Sequence, residues 1–274
     1  MKVVHSFTSK TCGEDRFKIQ MWYFILSCLY AKESGFDISL HTDNKTSNVL
    51  EMCPYDEIIL DLEDKSSPAN NKIWAWGKFE SMKSEPLGTI HIDGDVFLKD
   101  SKLVDLMNFD NYDCIVQNLE TPYWTNGDAK DAYGIFRNWN YQHKCFRDCV
   151  YPEWAKRQTN SMFNCGIVGF NNQQLKDEYY KTYWDMVYQY ARSGVDINAV
   201  PDLIIEQQFL KDLTDYKNYK VKTLLNGDLF CCAKDIGYQH VLGKGKESNL
   251  ETVKELVKKH NLEIYNKMLK IWEN

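Results

Sequence analysis

Apolar positions along this chain alternate between short runs rich in β-branched and aromatic residues and longer stretches with helical spacing. Val3 to Phe7 reads as a first strand, and polar Thr8 to Glu14 as the loop that follows it. Asp15 to Glu33 reads as a helix with an apolar interior, capped by Asp15 and ended by Ser34-Gly35. Phe36 to His41 and Glu57 to Leu60 read as the second and third strands, with a polar loop from Thr42 to Ser47 and a short helix between them. Ala69 to Lys83, which carries Trp74, Trp76 and Phe79, reads as helical. Leu87 to Ile92 is an apolar strand that runs straight into Asp93-Gly94-Asp95. Leu103 to Met107 reads as a helical turn, and Asp113 to Gln117 as another strand.

Alternation of this kind predicts an α/β fold with a mixed, mostly parallel sheet flanked by helices. Ligands bind such sheets beyond the carboxyl ends of the strands. The Thr8 loop and the Asp93 segment both fall at such ends. From Glu120 to Asn160 the chain is polar and aromatic with no clean period, and it reads as an insertion or lid within a single domain spanning residues 1 to 274. Order resumes with a strand from Met162 to Phe170, interrupted by Gly166 and Gly169, and a strong helix from Gln173 to Arg192. Pro201 starts a further helix carrying Ile204, Ile205, Phe209 and Leu210, and a short strand lies near Val221 to Leu225. A terminal helix is expected over Leu250 to Trp272, broken near His260-Asn261.

Composition narrows the field. Hydrophobic residues make up 43% and charged residues 26%, the balance of a soluble globular protein. The net charge of −6 supplies no overall basic character, which argues against a nucleic-acid partner. The most apolar early stretch, Met21 to Ala31, is shorter than the about 20 residues that span a bilayer, and the first residues hold no apolar signal core. A cytoplasmic protein without a transmembrane segment is therefore expected, with peripheral contact at the inner face of a membrane left open. The nine cysteines are irregularly spaced with no CxxC pair, which predicts reduced thiols; a zinc site from His143, Cys145 and Cys149 lacks an evident fourth ligand.

Chemistry concentrates at two places. Asp93 and Asp95 lie one residue apart after an apolar strand, so in an extended chain both carboxylates point the same way and can approach one hard cation such as Mn²⁺ or Mg²⁺. The same Asp-Gly dipeptide also suits a plain hairpin turn. Far downstream, His240 offers a nitrogen ligand, Gly243 and Gly245 allow close backbone approach to a phosphate, and Lys244 or Lys246 can neutralise one. Read alone, this second segment is more simply a surface turn with solvated lysines.

Taken together, the two segments resemble a known family. Asp93-Gly94-Asp95 after its strand looks like the DxD motif of GT-A glycosyltransferases, and His240, Gly243 and Lys246 resemble the HxxGxxK segment of glycosyltransferase family eight, the galactosyltransferase and glycogenin-like group. Between them, Asn164-Cys165-Gly166 is similar to that family's Asn-X-Gly strand, and Glu206-Gln207 to its Asp-Gln pair, with Glu in place of Asp. Glu247 and Ser248 stand where the family has proline and tryptophan, so a divergent relative is implied.

The resemblance implies a retaining transfer from a nucleoside diphosphate sugar, most simply a UDP-sugar, to a carbohydrate or glycolipid acceptor. It implies Asp93, Asp95 and His240 as metal ligands, Gly243 and Lys246 on the diphosphate, and Asn164 on the donor sugar. It places Gln207 near the anomeric carbon, with Glu206 on sugar hydroxyls or in catalysis. Gly94 lies between the two carboxylates, and Ser6, Thr8 and Ser9 stand around the end of the first strand in place of the Asp the family has after it. Lys78 either pairs with the Asp-X-Asp carboxylates or the donor, or is a solvated helix lysine; Asp43 either contacts base or ribose, or caps a loop. Two other readings stay open: a haloacid-dehalogenase-like phosphatase, whose nucleophile motif also fits Asp93 to Val96, and a non-catalytic sugar-nucleotide or glycan-binding module.

Overall fold

The computed structural model describes residues 1–66, 73–120, 149–157, 161–193, 202–225, 232–241 and 245–273. The chain opens with β1 (Lys2–Phe7), α1 (Glu14–Glu33), β2 (Asp37–Thr42), α2 (Asn44–Leu50), β3 (Glu57–Ile59), α3 (Trp76–Ser84) and β4 (Ile90–Ile92). It continues through β5 (Val96–Leu98), α4 (Lys102–Leu106), β6 (Cys114–Glu120), β7 (Met162–Phe170) and α5 (Gln173–Ser193). A π-helical stretch, Leu203–Gln208, leads into α6 (Phe209–Lys217), followed by β8 (Val221–Thr223), β9 (Cys232–Ala233), β10 (Tyr238–His240), α7 (Gly245–His260) and α8 (Leu262–Glu273).

Seven strands form one sheet in the order β3-β2-β1-β4-β7-β6-β8. It is mixed and mostly parallel, as the alternation predicts: β7 alone runs against its neighbours β4 and β6. β1 lies between β2 and β4, so the connections diverge there and open a crevice at the carboxyl ends of β1 and β4. A second sheet of three strands, β5-β10-β9, is antiparallel and was not foreseen, because it joins segments far apart in sequence.

Helices cover both faces. Ile115 and Ile167 join one apolar cluster with α1, while Cys114, Val116 and Val168 join the other with α3, α5 and α6, as strand alternation requires. α1 is buried nearly all round, because the sheet lies on one side and the terminal helices on the other; Phe17 meets Trp272 edge-on at 6.0 Å and Trp22 lies 5.7 Å from Tyr265. Among the described residues no helix is long and apolar enough to cross a membrane.

Several boundaries differ from expectation. The α1 cap position is Gly13, without a side-chain hydrogen bond; Asp15 sits in the first turn instead, where a carboxylate favours the positive end of the helix dipole. The strand expected from Leu87 begins at Ile90, because Gly88 adopts a left-handed conformation (φ 85°) before it. The terminal helix starts at Gly245, ahead of the expected Leu250, and parts into two helices at Asn261, where the break was expected. Most of the expected lid, residues 121–148, lies outside the described residues, as do His143 and Cys145 of the zinc reading. Cys12, Cys28, Cys53, Cys114, Cys149 and Cys165 are free thiols.

Candidate active site

β4 ends at Ile92 and delivers Asp93 to the crevice, where its backbone N–H donates to the Gly166 carbonyl at 2.9 Å. The turn through Gly94 then brings Asp95 back before β5. β5 pairs with β10 so that His240 lies opposite Val96, and the Val241 N–H donates to the Asp95 carbonyl at 3.0 Å. The small sheet thus sets His240 beside Asp95, with Nε2 at 3.4 Å from Oδ1. Asp93, Asp95 and His240 each offer one ligand atom within 4.8 Å of the others, a grouping able to hold a metal ion. Asp95 and His240 are only 6% and 7% exposed, so this is not an ordinary cluster of surface acids.

Gly94 is required by packing. A Cβ there would lie 2.3 Å from the Phe24 ring on α1. α1 also places Lys246: the Tyr23 hydroxyl donates to the Lys246 carbonyl at 2.8 Å, and the lysine ammonium reaches Asp95 Oδ2 at 2.7 Å and Gln20 at 3.4 Å. Burial alone raises the Asp95 carboxyl, but Lys246 and His240 outweigh it and hold the acid below the usual carboxylate range.

A second charge group lies on the far side of Asp93. Lys78 projects from α3 and places its ammonium 2.8 Å from Asp93 Oδ1, 2.6 Å from Glu206 Oε1 and 2.9 Å from the Cys165 carbonyl. Burial disfavours the ammonium, yet Asp93 and Glu206 together keep its pKa above the ordinary lysine value. Glu206 is raised, chiefly by burial, with Lys78 opposing and Asp93 adding. Asp202, one turn earlier and fully buried, accepts from the backbone N–H groups of Trp74 at 2.9 Å and Ala75 at 3.3 Å. Burial, reinforced by the Glu206 charge, pushes its carboxyl up to about 8.

Asp202 is not part of the lining, but Asp93, Asp95, His240, Lys246, Lys78 and Glu206 line one cavity of about 880 Å³. It brings together the expected Asp93, Asp95, His240 and Lys246, then Gly94, Asn164, Glu206 and Gln207, and also Ser6, Thr8 and Lys78. Lys78 is therefore a buried ion-pair partner, not a solvated lysine. Asp43 is not part of the lining. It is 2% exposed and spent on capping: it accepts from the Thr46 N–H of α2 at 2.9 Å and from the Thr8 hydroxyl and Ser9 N–H at 2.7 Å. Gly243 lies outside the described residues.

Sequence reasoning missed several residues here. Gln117 accepts from the His240 ring, Glu120 accepts from Asn164 Nδ2 at 2.7 Å, and His91 accepts or donates to Ser6 Oγ at 2.8 Å. The available signal was polarity inside buried strands: Gln117 and Glu120 in β6, His91 in β4. Arg16 and Gln20 of α1 also line the cavity, and nothing in their local pattern marks them.

Solved structures with similar architecture include the glycosyltransferase GlyE of Streptococcus pneumoniae TIGR4, 13% identical with a TM-score of 0.48. That match covers 99% of this chain but 62% of GlyE, so the chain spans less than two thirds of that protein. The galactosyltransferase LgtC, solved with donor and acceptor sugar analogs, is 10% identical with a TM-score of 0.47, covering 94% of this chain and 96% of that one. The inositol-1-phosphate CTP transferase from T. maritima is also 10% identical, with a TM-score of 0.48 and the same coverages. No curated protein matches the sequence. The match that spans this chain, over residues 1–271, is to a family of unknown function, and the chain belongs to that family, DUF6734.

Proposed function

We propose that this chain is a metal-dependent GT-A glycosyltransferase that moves a sugar from a nucleoside diphosphate sugar, a UDP-sugar in the first instance, to an acceptor hydroxyl. The observation that supports this reading is the convergence of Asp93, Asp95 and His240 with Lys246 in one cavity of about 880 Å³. Pockets for small molecules run to roughly 300–1,000 Å³, so a nucleotide sugar fits the scale.

Two carboxylates and one imidazole suit Mn²⁺, and suit Mg²⁺ through the carboxylates. A divalent cation held there supplies Lewis-acid stabilisation to a departing diphosphate. Lys246, already 2.7 Å from Asp95, is placed to neutralise the same diphosphate. Asn164 is held by Glu120 and by the Gly166 N–H, which donates to its Oδ1 at 2.9 Å, and so is oriented to meet donor sugar hydroxyls.

Gln207 and Glu206 line the cavity from the π-helical turn, which supports a place for them beside the donor's anomeric carbon. Glu206 is 2% exposed and has Oε1 bound to Lys78. It therefore acts as an orienting charge, not as a base shuttling acceptor protons. That arrangement favours a retaining transfer, in which the leaving diphosphate takes the acceptor's proton. Carbohydrate or glycolipid acceptors remain the class to try, at the inner face of a membrane or free in the cytoplasm.

The test is donor hydrolysis across a panel of UDP- and GDP-sugars, with Mn²⁺ and with EDTA, for wild type and Asp95→Ala. Slow metal-dependent hydrolysis that Asp95→Ala abolishes supports the transferase and names the donor. Phosphatase activity on simple phosphomonoesters, with no turnover of any donor, contradicts it. Donor binding without turnover in the presence of acceptors points to a binding module instead.

A further inference from the structure

We infer that Gln117 is a positioning residue: its amide oxygen accepts from His240 Nδ1 and so turns Nε2 toward Asp95 and the cavity. This rests on the reading of Asp93, Asp95 and His240 as a metal centre.

The argument starts from β10. Tyr238 and His240 are two apart on one strand, so their side chains leave it on the same face. Both reach the same atom. Gln117 Oε1 accepts from the Tyr238 hydroxyl at 2.5 Å and lies 2.7 Å from His240 Nδ1. A carbonyl oxygen can only accept, so the ring nitrogen beside it carries the proton. The opposite ring nitrogen, Nε2, is thereby directed at Asp95 Oδ1, 3.4 Å away. Two donors on one oxygen also keep the amide from turning its NH₂ group toward the ring. Metal-ligating histidines depend on such an acceptor behind the ring, and its loss commonly costs about 10–100-fold in metal affinity.

The strands are shaped around this contact. β6 and β7 pair at Val116 with Val168 and at Asn118 with Asn164, so Gln117 alone stands opposite Cys165, Gly166 and Ile167. Register shifts of this kind re-aim side chains near functional sites. Gly166 in that bulge has no room for a side chain: a Cβ would lie 2.5 Å from His240 Cε1 and 2.6 Å from Gln117 Oε1. Gln117 itself is fully buried, so its amide is not spent on solvent.

The test has two readouts on the full chain. Long-range proton–nitrogen correlation of the histidine side chains in metal-free protein reports directly whether His240 Nδ1 carries a proton. Mn²⁺ affinity by electron paramagnetic resonance is then measured for wild type, Gln117→Met and Gln117→Glu. Wild-type His240 protonated at Nδ1, Mn²⁺ binding weakened about 10–100-fold in Gln117→Met, and binding largely kept in Gln117→Glu are the expected results. A carboxylate still accepts from Nδ1–H, which a merely space-filling role for Gln117 does not require. The proposal is overturned if wild-type His240 carries no proton on Nδ1, or if Gln117→Met binds Mn²⁺ as wild type does. Should Gln117→Met fail to fold, the wild-type Nδ1 proton and the glutamate variant decide alone. Wild type that binds no Mn²⁺ but shows a proton on Nδ1 contradicts the metal centre while supporting the role given to Gln117.

Discussion

Lys78 on α3 holds Asp93 at 2.8 Å, and the same ammonium sits 2.6 Å from Glu206. One cation therefore joins α3, the Asp-X-Asp turn and the π-helical stretch. Glu206 is 3% exposed at its side chain and Lys78 10%, so this charge group is largely removed from water. Removing one member of a buried ion pair leaves its partner uncompensated, typically at ~3–5 kcal/mol. Lys78→Met is expected to lose that much in urea denaturation. Adding Glu206→Gln recovers part of the loss, because the two residues share one interaction. Independent, additive effects contradict the shared charge group.

Asp202 predicts a pH dependence of stability. Its carboxyl is pushed up to about 8 in the fold, by burial first and the Glu206 charge second, against about 3.9 in an unfolded chain. Between these values the native state keeps a proton that the unfolded state has released. Stability contributed by Asp202 is therefore full below the unfolded value and falls as pH rises through that window, by at most ~1.4 kcal/mol per pH unit. Asp202→Asn keeps one oxygen acceptor, for the shorter bond from the Trp74 N–H, and removes the titration. Unfolding free energies of wild type and variant compared from pH 5 to pH 8 should show wild type losing ground as pH rises. A constant difference across that range contradicts the assignment.

Glycines in and beside the cavity separate into intolerant and tolerant. At Gly166 a Cβ meets His240 and Gln117 at 2.5–2.6 Å, whereas at Gly245 the nearest atom is 3.6 Å away on Val241. Overpacking of the first kind typically costs about 1–3 kcal/mol. Gly166→Ala is expected to lower the melting temperature and to weaken Mn²⁺ binding by displacing the His240 ring. Gly245→Ala, at the start of α7, is expected to leave both nearly unchanged. Equal behaviour of the two variants in a thermal melt contradicts the packing described around His240.

Much of this site was legible because its chemistry sits in short motifs at strand ends. Asp93 and Asp95 follow an apolar run, and His240 and Lys246 stand near glycines, so residue type and spacing suffice. The rest depends on partners distant in sequence. Nothing local in Gln117 shows that it meets His240, since a polar residue in a buried strand is more often satisfied within the core. The antiparallel run of β7 and the pairing of β5 with β10 are equally nonlocal, and a strand's direction leaves no mark on its own alternation. Asp43 shows the converse: its position after a strand suits a base contact as well as a loop cap, and in the fold its carboxylate accepts from Thr8, Ser9 and the Thr46 N–H that it caps.

Calorimetric titration of UDP into the protein, in Mn²⁺ and in EDTA, tests the central claim most directly. The account predicts binding in Mn²⁺, little or none in EDTA, and loss of the Mn²⁺-dependent part in Asp95→Ala. UDP binding that is indifferent to EDTA and to Asp95, or no binding under either condition, contradicts a metal-held diphosphate in this cavity.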